Sequence, residues 1–175
     1  MKKQGFTLIE LMVVIVIMGI LAAVAVPKLF GMIAKSKASE VGPAAGTYVK
    51  LQDAFAAESG AVGDWTNIGY IAPGTKGADA DHYSTTVFDY SNAFAGANAG
   101  TTMVGSINAA TEGWRATAKT ALNDCKISSY WMIKFNKSGN GASVSYEATV
   151  TDLGSSSNNV NCTSLTANFT NIGHN

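Results

Sequence analysis

Histidine and cysteine are scarce in this chain, at two residues each among 175. His82 and His174 stand far apart, and neither has neighbours that form a recognisable catalytic or metal-ligating set by spacing. No phosphate-binding loop, nucleophile elbow or zinc-ligand pattern occurs. The nearest approach to a metal site is "ADADH", with Asp79, Asp81 and His82 as candidate ligands. A run of that kind alone reads as a solvated loop. Net charge is lacking too. Twelve basic and twelve acidic side chains cancel, which excludes the strongly basic surface of a nucleic-acid binder. No internal repeat or separate linker is apparent. The reading is therefore of a chain that is not an enzyme, with no cofactor and no metal.

What is present begins at once. From Phe6 to Val26 the chain runs 21 residues with one charge, Glu10. At 1.5 Å per residue a helix of that length covers roughly 30 Å, the hydrocarbon thickness of a bilayer. The run is apolar all round, unlike the one-sided helix of a small soluble core. A carboxylate inside such a span costs on the order of 3 kcal/mol, so it points to a function. The alternative is that Glu10 snorkels to the headgroups from the helix start. An ordinary secretory signal has its cleavage site beyond the apolar region. Here Pro27 and Lys28 follow the run, and the small residue Gly5 stands in front of it, behind the short basic "MKKQ". A cut after Gly5 keeps the apolar segment on the mature chain, with Glu10 as its fifth residue.

The stretch "KKQGFTLIELMVVIVIMGILAAVAVP" resembles the class III signal and first helix of type IV pilins and the related pseudopilins. The matching residues are Gly5, Phe6, Glu10, Gly19 and Pro27. The likeness covers about 30 residues and is specific. It implies a prepilin peptidase that cleaves between Gly5 and Phe6 and N-methylates Phe6. It also implies a helix that becomes the core of a filament built outward from the inner membrane, with the N-terminus cytoplasmic. In a filament core Glu10 can neutralise the Phe6 amine of a neighbouring subunit and so fix axial register. Phe6 and Glu10 are also four residues apart on one helix, so the pair can form within one chain. Gly19 and Pro27 weaken the helix. Resemblance implies that this stretch unwinds in the fibre, and a simple kink at the membrane boundary is the alternative.

The rest of the chain is expected to make an α+β fold. After Pro27, Val41, Ala44, Tyr48, Leu51 and Phe55 recur at helical spacing, with Lys50 and Asp53 opposite. One helix over about 6–59 is predicted, ending at Ser59-Gly60 and kinked at Gly42-Pro43. Its second half packs on an antiparallel sheet of about four strands. Strand candidates are "TTVFDY", "TTMVGSI", "GWRATAK", "YWMIKFN" and "ASVSYEATV". "GWRATAKTALND" can also be read as a helix. Asn140-Gly141 signals a hairpin. The loop "WTNIGYIAPGTKGADADHY" is expected to be anchored by Trp65, Ile68, Tyr70 and Ile71. Outside the cytoplasm Cys125 and Cys162 read as one disulfide, bounding a C-terminal region that includes "LGSSSNNVN". Such a region is frequent in the resembled family.

The expected organisation is a leader over 1–5, a membrane or filament-core half-helix over 6–27, and an amphipathic half-helix over 28–59. A globular periplasmic or extracellular domain over 60–175, with the 125–162 disulfide region, completes it. Removing the leader takes Lys2 and Lys3 away and leaves ten basic against twelve acidic side chains. The implied function is a major pilin of a type IV pilus, used for adhesion or motility. A pseudopilin of a type II secretion system and a membrane-anchored domain that never polymerises are the alternatives. Implied partners are copies of itself, the prepilin peptidase, an inner-membrane assembly platform and, before assembly, membrane lipid; none is a nucleic acid. The implied location is the inner membrane before assembly and the cell exterior after it.

Overall fold

The computed structural model describes residues 5–79, 81–94, 96, 99–139, 141, 143–154 and 160–173. Two helices lead. α1 spans Leu8–Ala38 and α2 spans Val41–Ser59. Strands β1 (Ala61–Gly63), β2 (Thr75–Lys76), β3 (His82–Ser84), β4 (Phe88–Ser91), β5 (Thr101–Met103), β6 (Thr111–Ala118), β7 (Tyr130–Ser138) and β8 (Ser143–Thr151) follow. A short α3, Val160–Thr163, comes after them. The main sheet has the order β2-β3-β4-β6-β7-β8 with antiparallel neighbours throughout, and β1 pairs separately with β5. This is the expected α+β arrangement. The four strands read from "TTVFDY", "GWRATAK", "YWMIKFN" and "ASVSYEATV" are contiguous, with β8 at one edge and the unexpected β2 and β3 added beyond β4. The strand reading of "GWRATAK" holds over the helical one. "TTMVGSI" contributes only β5, and a 3-10 turn follows it at Val104–Ser106.

The helix differs from expectation at two points. It starts at Leu8 because Thr7 is its N-cap. It is also interrupted at Ser39–Glu40, one turn before Gly42-Pro43, and not at that pair. The cause lies in Pro43. A proline has no N–H for the carbonyl four residues earlier, here Ser39, and its ring crowds that carbonyl. Pro27 sits inside α1, whose helical assignment continues through it. α2 ends where expected: Gly60 adopts φ of 67° and its N–H bonds the Ala56 carbonyl at 2.9 Å, a glycine cap.

α2 buries Val41, Ala44, Ala45, Tyr48, Val49 and Gln52, a stripe of helical period pressed on β1, β6 and β8. Leu51 and Phe55 lie at its margin, Lys50 is exposed, and Asp53, also exposed, accepts from the Tyr146 hydroxyl of β8 (2.8 Å). Beneath the stripe sit Trp65, Trp114 and Trp131, each fully buried. At about 25 cal/mol per Å2 the burial of one tryptophan stabilises by about 5 kcal/mol. Each indole N–H has a partner. Trp65 donates to the Gly113 carbonyl (2.9 Å), Trp114 to the Tyr70 hydroxyl (2.8 Å) and Trp131 to Thr166 Oγ1 (2.7 Å). Of the four expected loop anchors, Trp65, Ile68 and Tyr70 are buried. Ile71 is a correction, at 74% exposed. In an extended stretch adjacent side chains point to opposite sides, so turning Tyr70 inward sends Ile71 out.

Gln52 is the buried polar exception on α2. With its amide oriented by its surroundings, it donates to the Gly63 carbonyl (3.1 Å) and accepts from the Gly63 N–H (2.9 Å). It thus acts as a neighbouring strand for β1.

Candidate assembly surface

α1 leaves the domain almost uncovered. Of its 31 residues only Ala34 and Ala38 are buried. Its most apolar 18-residue window has a mean hydropathy of 2.9, and none of that window is buried. It is the one helix among the described residues long and apolar enough to cross a membrane. Exposed large apolar side chains run from Phe6 to Ile33. So extended an apolar surface on a soluble monomer is unstable without a cover.

Gly5 and Phe6 stand at the tip, with Phe6 88% exposed. Residues 1–4 of the expected leader lie outside the described residues. Glu10 is turned back on the chain. Its Oε2 accepts from the Thr7 N–H (2.8 Å) and from Thr7 Oγ1 (2.7 Å), and its own N–H donates to Thr7 Oγ1 (3.4 Å). This is a capping box, in which two donors left over at the helix start are satisfied reciprocally. The sequence carries its signature in Thr7-Leu8-Ile9-Glu10, where Glu10 has a local partner that its place in the apolar run does not reveal. Both side-chain contacts fall on Oε2. Among the described residues Oε1 accepts no hydrogen bond, so the carboxylate can cap its own helix and still receive a cation from outside. Gly19 lies within the regular helix, with open space where a side chain would begin.

The other expected residues lie in the domain. Cys125 and Cys162 are bonded to each other and both are fully buried. The bond fastens the turn before β7 to α3, and Leu165 and Phe169 beyond α3 are buried against the core. The central part of "LGSSSNNVN", residues 155–159, and His174 lie outside the described residues, as does Asn140 of the hairpin signal. Asp81 accepts from Thr66 Oγ1 (3.3 Å) and Asn92 Nδ2 (3.0 Å), so it fastens the loop before β3 to the segment after β4. No group of three metal-ligand side chains occurs among the described residues.

Comparison with known proteins adds the following. The prokaryotic N-terminal methylation motif matches residues 1–26. The type IV major pilin protein PilA of Myxococcus xanthus (strain DK1622) is 41% identical over 72 residues, covering 41% of this chain and 33% of that protein. The type IV major fimbrial protein FimA of Dichelobacter nodosus is 56% identical over 39 residues, 22% of this chain and 25% of that protein. The fimbrial protein EcpC of Eikenella corrodens is 54% identical over 44 residues, 25% of this chain and 29% of that one. Each match spans a third or less of the relative's own length. Together the motif and these similarities support the type IV pilin family.

Proposed function

We propose that this chain, whose N-terminal part is that of a type IV pilin by motif and similarity, is the structural subunit of a pilus filament. The observation that carries the reading is α1, an apolar helix capped by Thr7 just after the Gly5-Phe6 pair, with almost no cover of its own. Lipid covers it before assembly, and the helices of other copies cover it afterwards. In this reading a prepilin peptidase removes residues 1–5 and methylates Phe6. The domain that follows α1 lies outside the cytoplasm, where the Cys125–Cys162 bond is stable. The work of the chain is assembly; no chemical reaction is assigned to it.

Glu10 steers that assembly. Once lipid is replaced by neighbouring helices, the amine on Phe6 is a charge with little water around it. The open Oε1 of a neighbour's Glu10 supplies its partner. Glu10→Gln keeps the capping box, because glutamine serves in it as glutamate does, yet removes the charge. Removing one member of a buried pair costs about 3–5 kcal/mol, at least about a hundredfold in each addition step. Glu10→Gln is therefore expected to insert in the membrane at the parent level and to yield almost no sheared filament. Normal filament yield from the variant overturns the role of Glu10.

The function itself is tested by shearing fibres from the cell surface and identifying their main component by mass spectrometry. The expected result is this chain, starting at a methylated Phe6, with Cys125 and Cys162 oxidised. A processed chain that remains in the envelope, absent from every surface fibre, replaces the pilus reading with the secretion pseudopilus.

A further inference from the structure

We propose that the carboxylate of Glu40 is a positioning group that fixes the direction in which α1 leaves the domain. The inference concerns the junction of the two helices and does not rest on the filament reading. α1 is a lever about 46 Å long, secured to the domain by Ala34 and Ala38 at its last turns. At Ser39–Glu40 the helical ladder is interrupted, and Pro43 cannot restore the bond to Ser39. Ser39 instead folds back, its N–H (3.3 Å) and hydroxyl (2.7 Å) both on the Ser36 carbonyl. Backbone bonding alone thus leaves freedom on the α1 side of Glu40, whose own carbonyl accepts from the Ala44 N–H of α2 (3.3 Å).

Glu40 closes that freedom from the side. Its Oε1 accepts from Thr85 Oγ1 (2.9 Å) and from the Tyr90 hydroxyl (3.0 Å). Both donors belong to the rigid part of the domain. Thr85 stands in the β3–β4 turn, where its hydroxyl oxygen accepts from the N–H groups of Val87 (3.2 Å) and Phe88 (2.9 Å). Lys119 Nζ adds a bond to the Thr85 carbonyl (3.1 Å). Tyr90 is fully buried between the rings of Phe88 and Trp114. Burial, and then the neighbouring carboxylate, push its phenol well above the usual tyrosine range, so it remains a donor. One oxygen at the helix junction is thereby joined to two fixed points of the sheet. Charge-assisted bonds of this kind are about twice as strong as neutral ones.

The leverage is large. A 10° turn at the junction moves residue 12 by about 7 Å, most of a helix diameter. The test uses the full chain in detergent micelles, with the native disulfide intact and spin labels at Met12→Cys and Glu147→Cys. Pulsed dipolar spectroscopy reads the distance between them. Glu40→Ala is expected to widen the distance distribution by about 7 Å, the swing just derived, while domain melting shifts little. Tyr90→Phe combined with Thr85→Ala is expected to widen it likewise from the other side. Glu40→Gln, which retains an acceptor oxygen, is expected to fall between Glu40→Ala and the parent. A distribution unchanged in both Glu40→Ala and the double variant overturns the proposal. So does widening that appears only in variants whose domain no longer melts cooperatively. Where Glu40→Ala does not fold, Glu40→Gln and Thr85→Ala alone decide by the same readout.

Discussion

Gly113→Val is expected to unseat α2 from the sheet and to cost about 3 kcal/mol, lowering the melting temperature by about 15 °C. Gly113 sits where the β6–β7 register shifts, between Glu112 and Trp114. A Cβ built there would overlap the Tyr48 hydroxyl and would lie 2.6 and 2.8 Å from the Phe135 ring carbons Cε1 and Cδ1. The backbone has little room to retreat, because its carbonyl already holds the buried Trp65 indole. Tyr48 is itself enclosed on α2, and its hydroxyl has no partner among the described residues. Burial raises its titration far above the ordinary range.

That orphan hydroxyl gives the prediction a second arm. Removing an unsatisfied buried donor is neutral or stabilising, by up to about 1 kcal/mol, so Tyr48→Phe is expected to melt at or above the parent temperature. It also removes the atom that the new Cβ meets first. Tyr48→Phe with Gly113→Ala is therefore expected to recover part of the loss that Gly113→Ala causes alone. Thermal circular dichroism of the four proteins in micelles checks the cycle. Strict additivity would show that the two positions are not in contact in solution.

The paired variant Cys125→Ser with Cys162→Ser is expected to lose about 4 kcal/mol, from the loop-closure entropy that a link across 37 residues removes from the unfolded chain. The loss is localised in its first stages. Without the bond, the C-terminal segment is secured by the apolar contacts of Leu165 and Phe169 and by the Thr166–Trp131 hydrogen bond. Phe169 packs over Trp114 with ring centroids 6.1 Å apart, so its departure opens the core. Limited proteolysis is expected to remove the segment after α3 well before the rest of the domain is cut. Equal melting temperatures for parent and paired variant would show that the apolar contacts suffice.

Much of this architecture was legible because single residues carry strong local signals. Unbroken apolarity marked α1, and a 3.6-residue stripe marked α2. Alternating strands gave β4, β6, β7 and β8. What escaped was decided by tertiary context. β2 and β3 are two and three residues long and lack a pattern to read; they exist because β4 offers an edge. Gln52 reads as a solvent residue until Gly63 is brought opposite it. The break at Ser39–Glu40 was placed at Gly42-Pro43 because a proline disturbs the turn before it and not its own position. At the candidate assembly surface, Gly5, Phe6, Glu10, Gly19 and Pro27 can be named from the sequence, and the roles given to them belong to the proposed function. The capping role of Glu10 needed only Thr7 to be read with it. Glu40 gave no signal, since its meaning comes from two hydroxyls 45 and 50 residues away.

The near-absence of buried residues on α1 also bears on cooperativity. A helix that shares only Ala34 and Ala38 with the core exchanges little free energy with it. Heating the full chain in micelles is then expected to melt the domain in one transition while the apolar helix, shielded by detergent, persists. Under the proposed function, two energetic units in one polypeptide would allow the domain to fold and oxidise outside the membrane while its anchor stays in lipid.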